Sequence, residues 1–124
     1  MTKAQLTVLA GPTAVGKGTV VAALTKRFPT LNVSISATTR APRPGELNGV
    51  HYYFVSTQEF DAMIERGDML EWALVHGKNK YGTPRGPVDD ALAAGKPVLL
   101  EIDLAGARQV RTTRPDAQFI FLAP

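Results

Sequence analysis

Gly11-Pro12-Thr13-Ala14-Val15-Gly16-Lys17-Gly18-Thr19 stands between a short apolar run, Leu6–Ala10, and a stretch in which Val20, Val21 and Leu24 recur at helical spacing. A β-prone run, a glycine-rich turn and a helix start make the setting of a phosphate-binding loop. The glycines let the backbone wrap closely around an anion with its N–H groups pointing inward, and the helix N-terminus adds its dipole. Lys17 supplies a mobile positive charge for the phosphates. Gly18 stands where the strict motif has the Ser or Thr hydroxyl that ligates Mg²⁺, with Thr19 one residue on. Direct ligation by Thr19 and a metal held through water are both open at this point.

Working outward, the helix is expected to stop near Phe28-Pro29, and 32–37 alternates around Val33 and Ile35 as a second strand. The connector 38–51 is rich in proline and glycine, and 52–55 reads as a short strand. Ser56 and Glu59 are spaced as a capping box, ahead of Phe60, Met63 and Ile64 on one helical face and Gly67 as the stop. Met69–Val75 reads as a strand, and Gly86-Pro87 opens a helix with Asp89 and Asp90 expected near its positive end. Gly95 closes that helix; 97–102 and 118–122 are apolar strands with a helix over about 105–112 between them. Trp72, Phe60, Met63 and Phe121 are expected in the core. The pattern predicts an α/β fold: a parallel-sheet core from 1–37 and 84–124, with 38–83 an inserted lobe.

The chain has 124 residues, 44% hydrophobic and 20% charged, an ordinary globular composition that excludes disorder. It has no cysteine, which excludes disulfide scaffolds, thiolate zinc sites and cysteine nucleophiles. His51 and His76 are too few for a multi-histidine metal centre and read as surface residues or as residues that support a site from behind. Fourteen Lys and Arg against eleven Asp and Glu leave a net charge of +3, which fits a phosphate-handling protein and equally an ordinary solvated surface. Arg108, Arg111 and Arg114 read as a solvated basic helix face. The opening apolar run is too short for a signal peptide and no run approaches a membrane span, so a cytoplasmic location is expected.

A second chemical feature lies in 38–54, Thr38-Thr39-Arg40-Ala41-Pro42-Arg43-Pro44-Gly45-Glu46-Leu47-Asn48-Gly49-Val50-His51-Tyr52-Tyr53-Phe54. It is a stiff loop with two guanidinium groups three residues apart and a phenol close behind. Arginine forks match phosphate oxygens in a bidentate way, and a tyrosine hydroxyl adds a donor.

With these residues in hand the chain resembles the guanylate kinases, the family that phosphorylates GMP. The spacing over 38–54 is similar to that family's signature at every fixed position, and Leu70-Glu71-Trp72-Ala73, Tyr81-Gly82-Thr83 and Glu101-Ile102-Asp103-Leu104-Ala105-Gly106 resemble further blocks of it. The segment 77–81 is one residue longer than the family's usual form, with Lys80 in place of its first tyrosine.

The resemblance implies a P-loop nucleoside-monophosphate-kinase fold with an inserted GMP-binding lobe. It implies ATP binding by Gly11, Pro12, Thr13, Ala14, Val15, Gly16, Lys17, Gly18 and Thr19, with Mg²⁺ accompanying the nucleotide. GMP phosphate falls to Arg40, Arg43, Tyr52 and Tyr81, guanine to Ser36, Glu71, Thr83 and Asp103, and catalysis to Lys17, Arg40 and Arg43. Read without the resemblance, Glu71 is a surface acid beside Trp72 and Asp103 a helix N-cap. GMP and ATP are the partners implied, with no nucleic acid or membrane, and a homodimer is compatible with the reading. The family continues past the end of this chain with an arginine-bearing lid and the last core elements. The natural product is therefore expected to be longer, and turnover by these residues alone weak. The alternatives are a non-catalytic guanylate-kinase-like interaction module, against which Gly11, Gly16 and Lys17 stand, and a P-loop kinase for a phosphorylated sugar, against which Ser36, Glu71 and Thr83 stand.

Overall fold

The computed structural model describes residues 4–12 and 16–123. Its elements are β1 (Leu6–Ala10), α1 (Lys17–Arg27), β2 (Asn32–Val33), β3 (Ala37–Thr38), β4 (Tyr53–Phe54) and α2 (Thr57–Glu65). These are followed by β5 (Met69–Val75), β6 (Asn79–Pro84), α3 (Arg85–Ala93), β7 (Val98–Ile102), α4 (Leu104–Thr113) and β8 (Gln118–Phe121). They form two compact units, one from the residues up to Ser34 together with those from Pro87 onward, the other Ile35–Gly86.

The first unit carries a parallel sheet in the order β2-β7-β1-β8. Val8 pairs with Leu100 on one side and Phe119 on the other, so β1 and β7 are inner strands. Leu6, Val8, Leu9 and Ala10 on β1 and Val98, Leu99 and Leu100 on β7 are all buried. That near-continuous apolar run is how a parallel strand covered on both faces reads. Ala107 and Val110 of α4 and Val88 and Ala91 of α3 are buried as well. Asp89 and Asp90 fall beyond the first turn of α3, because the helix begins at Arg85 rather than at Pro87. There Asp89 forms an ion pair with Arg114, so Arg114 has an acidic partner.

The expected single strand over 32–37 divides. Val33 pairs with Leu99 in the parallel sheet, whereas Ala37 pairs with Tyr53 and Gly82 in the other sheet. Alternation reports which residues face a core and is silent on which sheet supplies the partner strand. Phe121 also departs from expectation: β8 is an edge strand paired with β1, and Phe121 is 54% exposed, its ring stacked on Phe119 at 6.2 Å.

The second unit holds the sheet β4-β3-β6-β5, with β3 and β4 parallel and the other pairs antiparallel. Helix α2 is capped as predicted, Ser56 Oγ accepting from Glu59 N at 3.0 Å. It sets Phe60 into a core with Ala37 and Met69, surrounded by Tyr53, Val55, Met63, Ile64 and Trp72. The Phe60 and Trp72 rings meet edge to face at 6.4 Å. The pairing of β5 with β6 places Glu71 opposite Thr83 and Ala73 opposite Tyr81. Their turn puts His76 at φ 53° and Gly77 at φ 65°, with Lys78 N donating to Val75 O at 3.1 Å.

Candidate functional site

In the second unit the end of β3 fixes where Arg40 begins. Thr39 N donates to Lys80 O at 3.1 Å, Thr38 Oγ1 donates to the same carbonyl at 3.0 Å, and Arg40 N donates back to Thr38 Oγ1 at 3.2 Å. Lys80 itself is paired with Asp61 of α2 and lies over the Trp72 ring, which ties β6 to the lobe's helix. The departure from the family pattern at Lys80 is thus a structural tie.

Arg43-Pro44-Gly45-Glu46 then turns the chain back, with Glu46 N donating to Arg43 O at 3.0 Å and Gly45 at φ 86°. Proline in the second position and a positive-φ glycine in the third are the signature of a type II turn. The turn brings the Glu46 carboxylate onto Arg40, where Oε1 accepts from Nη1 at 2.9 Å and Oε2 from Nη2 at 3.0 Å. Oε1 also accepts from Arg43 N at 2.7 Å. The bidentate Arg40 guanidinium, with the Arg43 amide second, holds the Glu46 carboxyl down at about 2. Glu46 in turn raises Arg40 above its ordinary value.

The aromatic residues close around the same guanidinium. Arg40 Nε donates to the Tyr81 hydroxyl at 3.1 Å, and its Cζ lies 5.2 Å from the centre of the Tyr52 ring. Tyr52 and Tyr81 meet edge to face at 6.0 Å. Arg40, Tyr52 and Tyr81 are therefore gathered as expected, while the side chain of Arg43 is exposed at the loop's rim. Glu46 is the member that the sequence reading counted as a fixed position of the signature and gave no role. A carboxylate that closes a Pro-Gly turn next to two arginines was the signal available. His51 has a local task, its Nδ1 accepting from Leu47 N at 2.9 Å.

Thr83 lies two residues beyond Tyr81 on β6, so both face the same side of the sheet about 7 Å apart. Thr83 is buried, and its Oγ1 donates to Glu71 Oε2 at 3.0 Å. Ser36 is half-buried just before β3, and continuing the Ala37–Gly82 register sets it across from Thr83. One face of the lobe thus carries a basic, phenolic end and a carboxylate–hydroxyl end.

The first unit brings Gly16, Lys17 and Asp103 to the carboxyl ends of β1 and β7, where open α/β sheets place ligands. Gly16 caps α1 at φ 96°. Lys17 Nζ donates to Gly11 O at 2.5 Å and to Ile102 O at 3.2 Å, so the ammonium is held at the strand ends. Gly11 is buried and Pro12 half-buried; Thr13, Ala14 and Val15 lie outside the described residues. Gly18 and Thr19 are exposed on the first turn of α1. Asp103 follows β7 and caps α4, its Oδ1 accepting from Gly106 N at 2.7 Å. Among the described residues no group of three or more His, Asp or Glu is placed to hold a metal ion, and no helix is long and apolar enough to cross a membrane.

Comparison with known proteins covers the same residues. A family model described as guanylate kinase matches residues 3–124. Guanylate kinases of Leifsonia xyli and Nocardia farcinica are each 60% identical to this chain, over 96% and 98% of it. That of Streptomyces coelicolor is 60% identical over 97%. The chain spans 47%, 64% and 60% of these three relatives' lengths. A crystal structure of guanylate kinase from Anaplasma phagocytophilum is similar at a TM-score of 0.72 and 34% identity, over 98% of this chain and 60% of that one.

Proposed function

This chain belongs to the guanylate kinase family, and on that premise we propose that the protein transfers the γ-phosphoryl group of ATP to GMP, giving GDP and ADP. The observation that carries the substrate assignment is the Glu71–Thr83 pair on the face that also presents Arg40, Tyr52 and Tyr81.

Guanine offers N1–H and the 2-amino group as adjacent donors, and one carboxylate accepts from both. Adenine has no such pair, so AMP leaves the Glu71 carboxylate desolvated with poorer partners, a loss of about 1–3 kcal/mol. Thr83 donates to one Glu71 oxygen and fixes its rotamer, and Ser36 lies across from Thr83 on the same lobe; Asp103, in the other unit, enters the assignment through the family resemblance alone. The phosphate end is built for a dianion, with Arg40 and the Tyr52 and Tyr81 hydroxyls as donors and Arg43 as an exposed cation.

The acceptor phosphate has a second pKa of about 6, so near neutral pH it is already an anionic nucleophile and needs no general base. The remaining difficulty is bringing two polyanions together. Lys17, the α1 N-terminus and the loop amides around Gly11 and Gly16 neutralise the donor's phosphates, and Arg40 with Arg43 neutralise the acceptor. Mg²⁺, bound with ATP, would further neutralise the transferring group's charge. The protein groups that fit it are the Thr19 hydroxyl and waters, since Gly18 brings no ligand.

The test is calorimetric titration of the chain with GMP and with AMP. GMP binding with AMP at least tenfold weaker, about 1.4 kcal/mol, is expected, and Glu71→Gln is expected to narrow that ratio. Equal binding of the two nucleotides, or no binding by a folded chain, overturns the reading.

A further inference from the structure

Arg40 has five N–H donors in a planar fork. Nη1 serves Ala41 O at 2.9 Å and Glu46 Oε1, Nη2 serves Glu46 Oε2, and Nε serves the Tyr81 hydroxyl. The outer edge of the fork is filled by the carboxylate. One N–H is left, on Nη2, and planarity aims it to the Nε side, next to the Tyr81 oxygen. That oxygen accepts from Nε, so its own proton is available to a ligand. Arg40 therefore meets an anion from one direction only, with a guanidinium N–H and a phenol O–H side by side.

The device that produces this is Glu46. Its side chain is 20% exposed and that of Arg40 12%, so the pair is largely removed from water. It is also cross-tied, because the Oε1 that binds Arg40 binds the Arg43 amide as well. Neither residue gains net charge from the arrangement: Arg40 and Glu46 together are neutral, and the exposed Arg43 is the loop's remaining cation. A phosphate site that places a carboxylate against its own arginine gives up attraction, and what it gains in return is direction.

We propose that Glu46 is the positioning residue of the phosphate site, clamping the outer edge of Arg40 and the amide of Arg43 so that the remaining Nη2–H and the Tyr81 hydroxyl face the incoming phosphate. The inference rests on the GMP-binding reading above. Charge alone predicts the opposite sign, since removing an anion near a phosphate strengthens binding. The two accounts therefore separate by the direction of the effect.

The experiment is GMP titration of the chain and of Glu46→Gln, each also measured in an Arg40→Lys background. Glu46→Gln is expected to bind GMP at least tenfold more weakly than the unaltered chain. In the Arg40→Lys background, which keeps the charge and removes the fork, the same substitution is expected to change affinity less than twofold. GMP binding by Glu46→Gln equal to or tighter than that of the unaltered chain overturns the proposal. So does a tenfold loss that persists in the Arg40→Lys background, because Glu46 then acts elsewhere. If Glu46→Gln does not fold, Glu46→Asp takes its place: the charge stays but the reach is too short to span both Arg40 and Arg43. At least threefold weaker binding is expected of it, and unaltered affinity overturns the proposal. If the unaltered chain itself shows no preference for GMP over AMP, the substrate reading has failed and this inference with it.

Discussion

Gly82 lies directly opposite Trp72 in the β5–β6 ladder, and a Cβ at Gly82 would stand 2.7 Å from Glu71 O and 2.9 Å from Trp72 Cβ. The strands approach this closely beside a register shift between Met69 and Glu71. The glycine is thus what lets β6 close on the strand that carries Glu71. Gly82→Ala is expected to push the strands apart, lowering stability by about 1–3 kcal/mol. GMP affinity should fall while its preference over AMP narrows. Urea unfolding and the two titrations check it; an alanine variant with unchanged stability would mean that β5 yields freely.

Lys17 sits on the other unit, held by the carbonyls of Gly11 and Ile102. On the proposed reading, Lys17→Ala removes the charge that meets the donor's phosphates, and it lies outside the lobe that carries Arg40 and Glu71. Turnover is expected to fall at least a hundredfold with GMP affinity within about twofold of the unaltered protein's. A coupled assay and calorimetry read the two separately, and equal loss of both would count against this division of labour.

Acid should weaken the lobe through Glu46. Its carboxyl is held at about 2 in the folded lobe against an ordinary value of 4.5, so it binds a proton more readily once unfolded. Its stabilising contribution is complete above pH 4.5 and disappears as pH falls from 4.5 toward 2. Urea midpoints across that range are expected to drop less steeply for Glu46→Gln than for the unaltered chain. Parallel curves would show that the carboxylate carries no such linkage.

His76 adopts a left-handed conformation at φ 53° in the turn between β5 and β6. Histidine and asparagine both enter that region more readily than other side chains, and a β-branched residue is an outlier there. His76→Val is expected to lower stability by about 1–2 kcal/mol, read as a lower thermal midpoint, with nucleotide affinity unchanged.

These cases show what was legible in the residues and what was not. β1, β5 and α2 announced themselves through apolar runs, alternation and a Ser-x-x-Glu start, because local pattern and burial agree there. β6 did not, since Asn79–Pro84 reads NKYGTP, with a glycine and a proline; pairing with β5 makes it a strand. The break between Val33 and Ala37 was hidden for a related reason, a change of sheet leaving the alternation intact. At the candidate site, Arg40 stood out by residue type and Tyr52 and Tyr81 were named through the family resemblance, whereas the contacts among the three are visible only in the structure. Glu46 was matched to the signature but given no role, because what an acid beside arginines does is visible only in the bidentate geometry. Asp103 serves as the cap of α4, which its position after a strand already allowed.

The register of β1 has a consequence for the order in which the protein assembles. Leu6 pairs with Val98 and Thr7 with Gln118, so β1 finds its neighbours more than ninety residues further along the chain. By contrast, Val75 pairs with Asn79 across a tight turn, and β3 reaches β6 over roughly half that span. Loop closure favours the nearer partners. On a growing chain the lobe's hairpin can form while β1 is still an unpaired apolar strand emerging from the ribosome. β1 thus waits much longer for its partner strands than β5 waits for β6, which leaves Leu6–Ala10 open to a chaperone for longer than the lobe's hairpin.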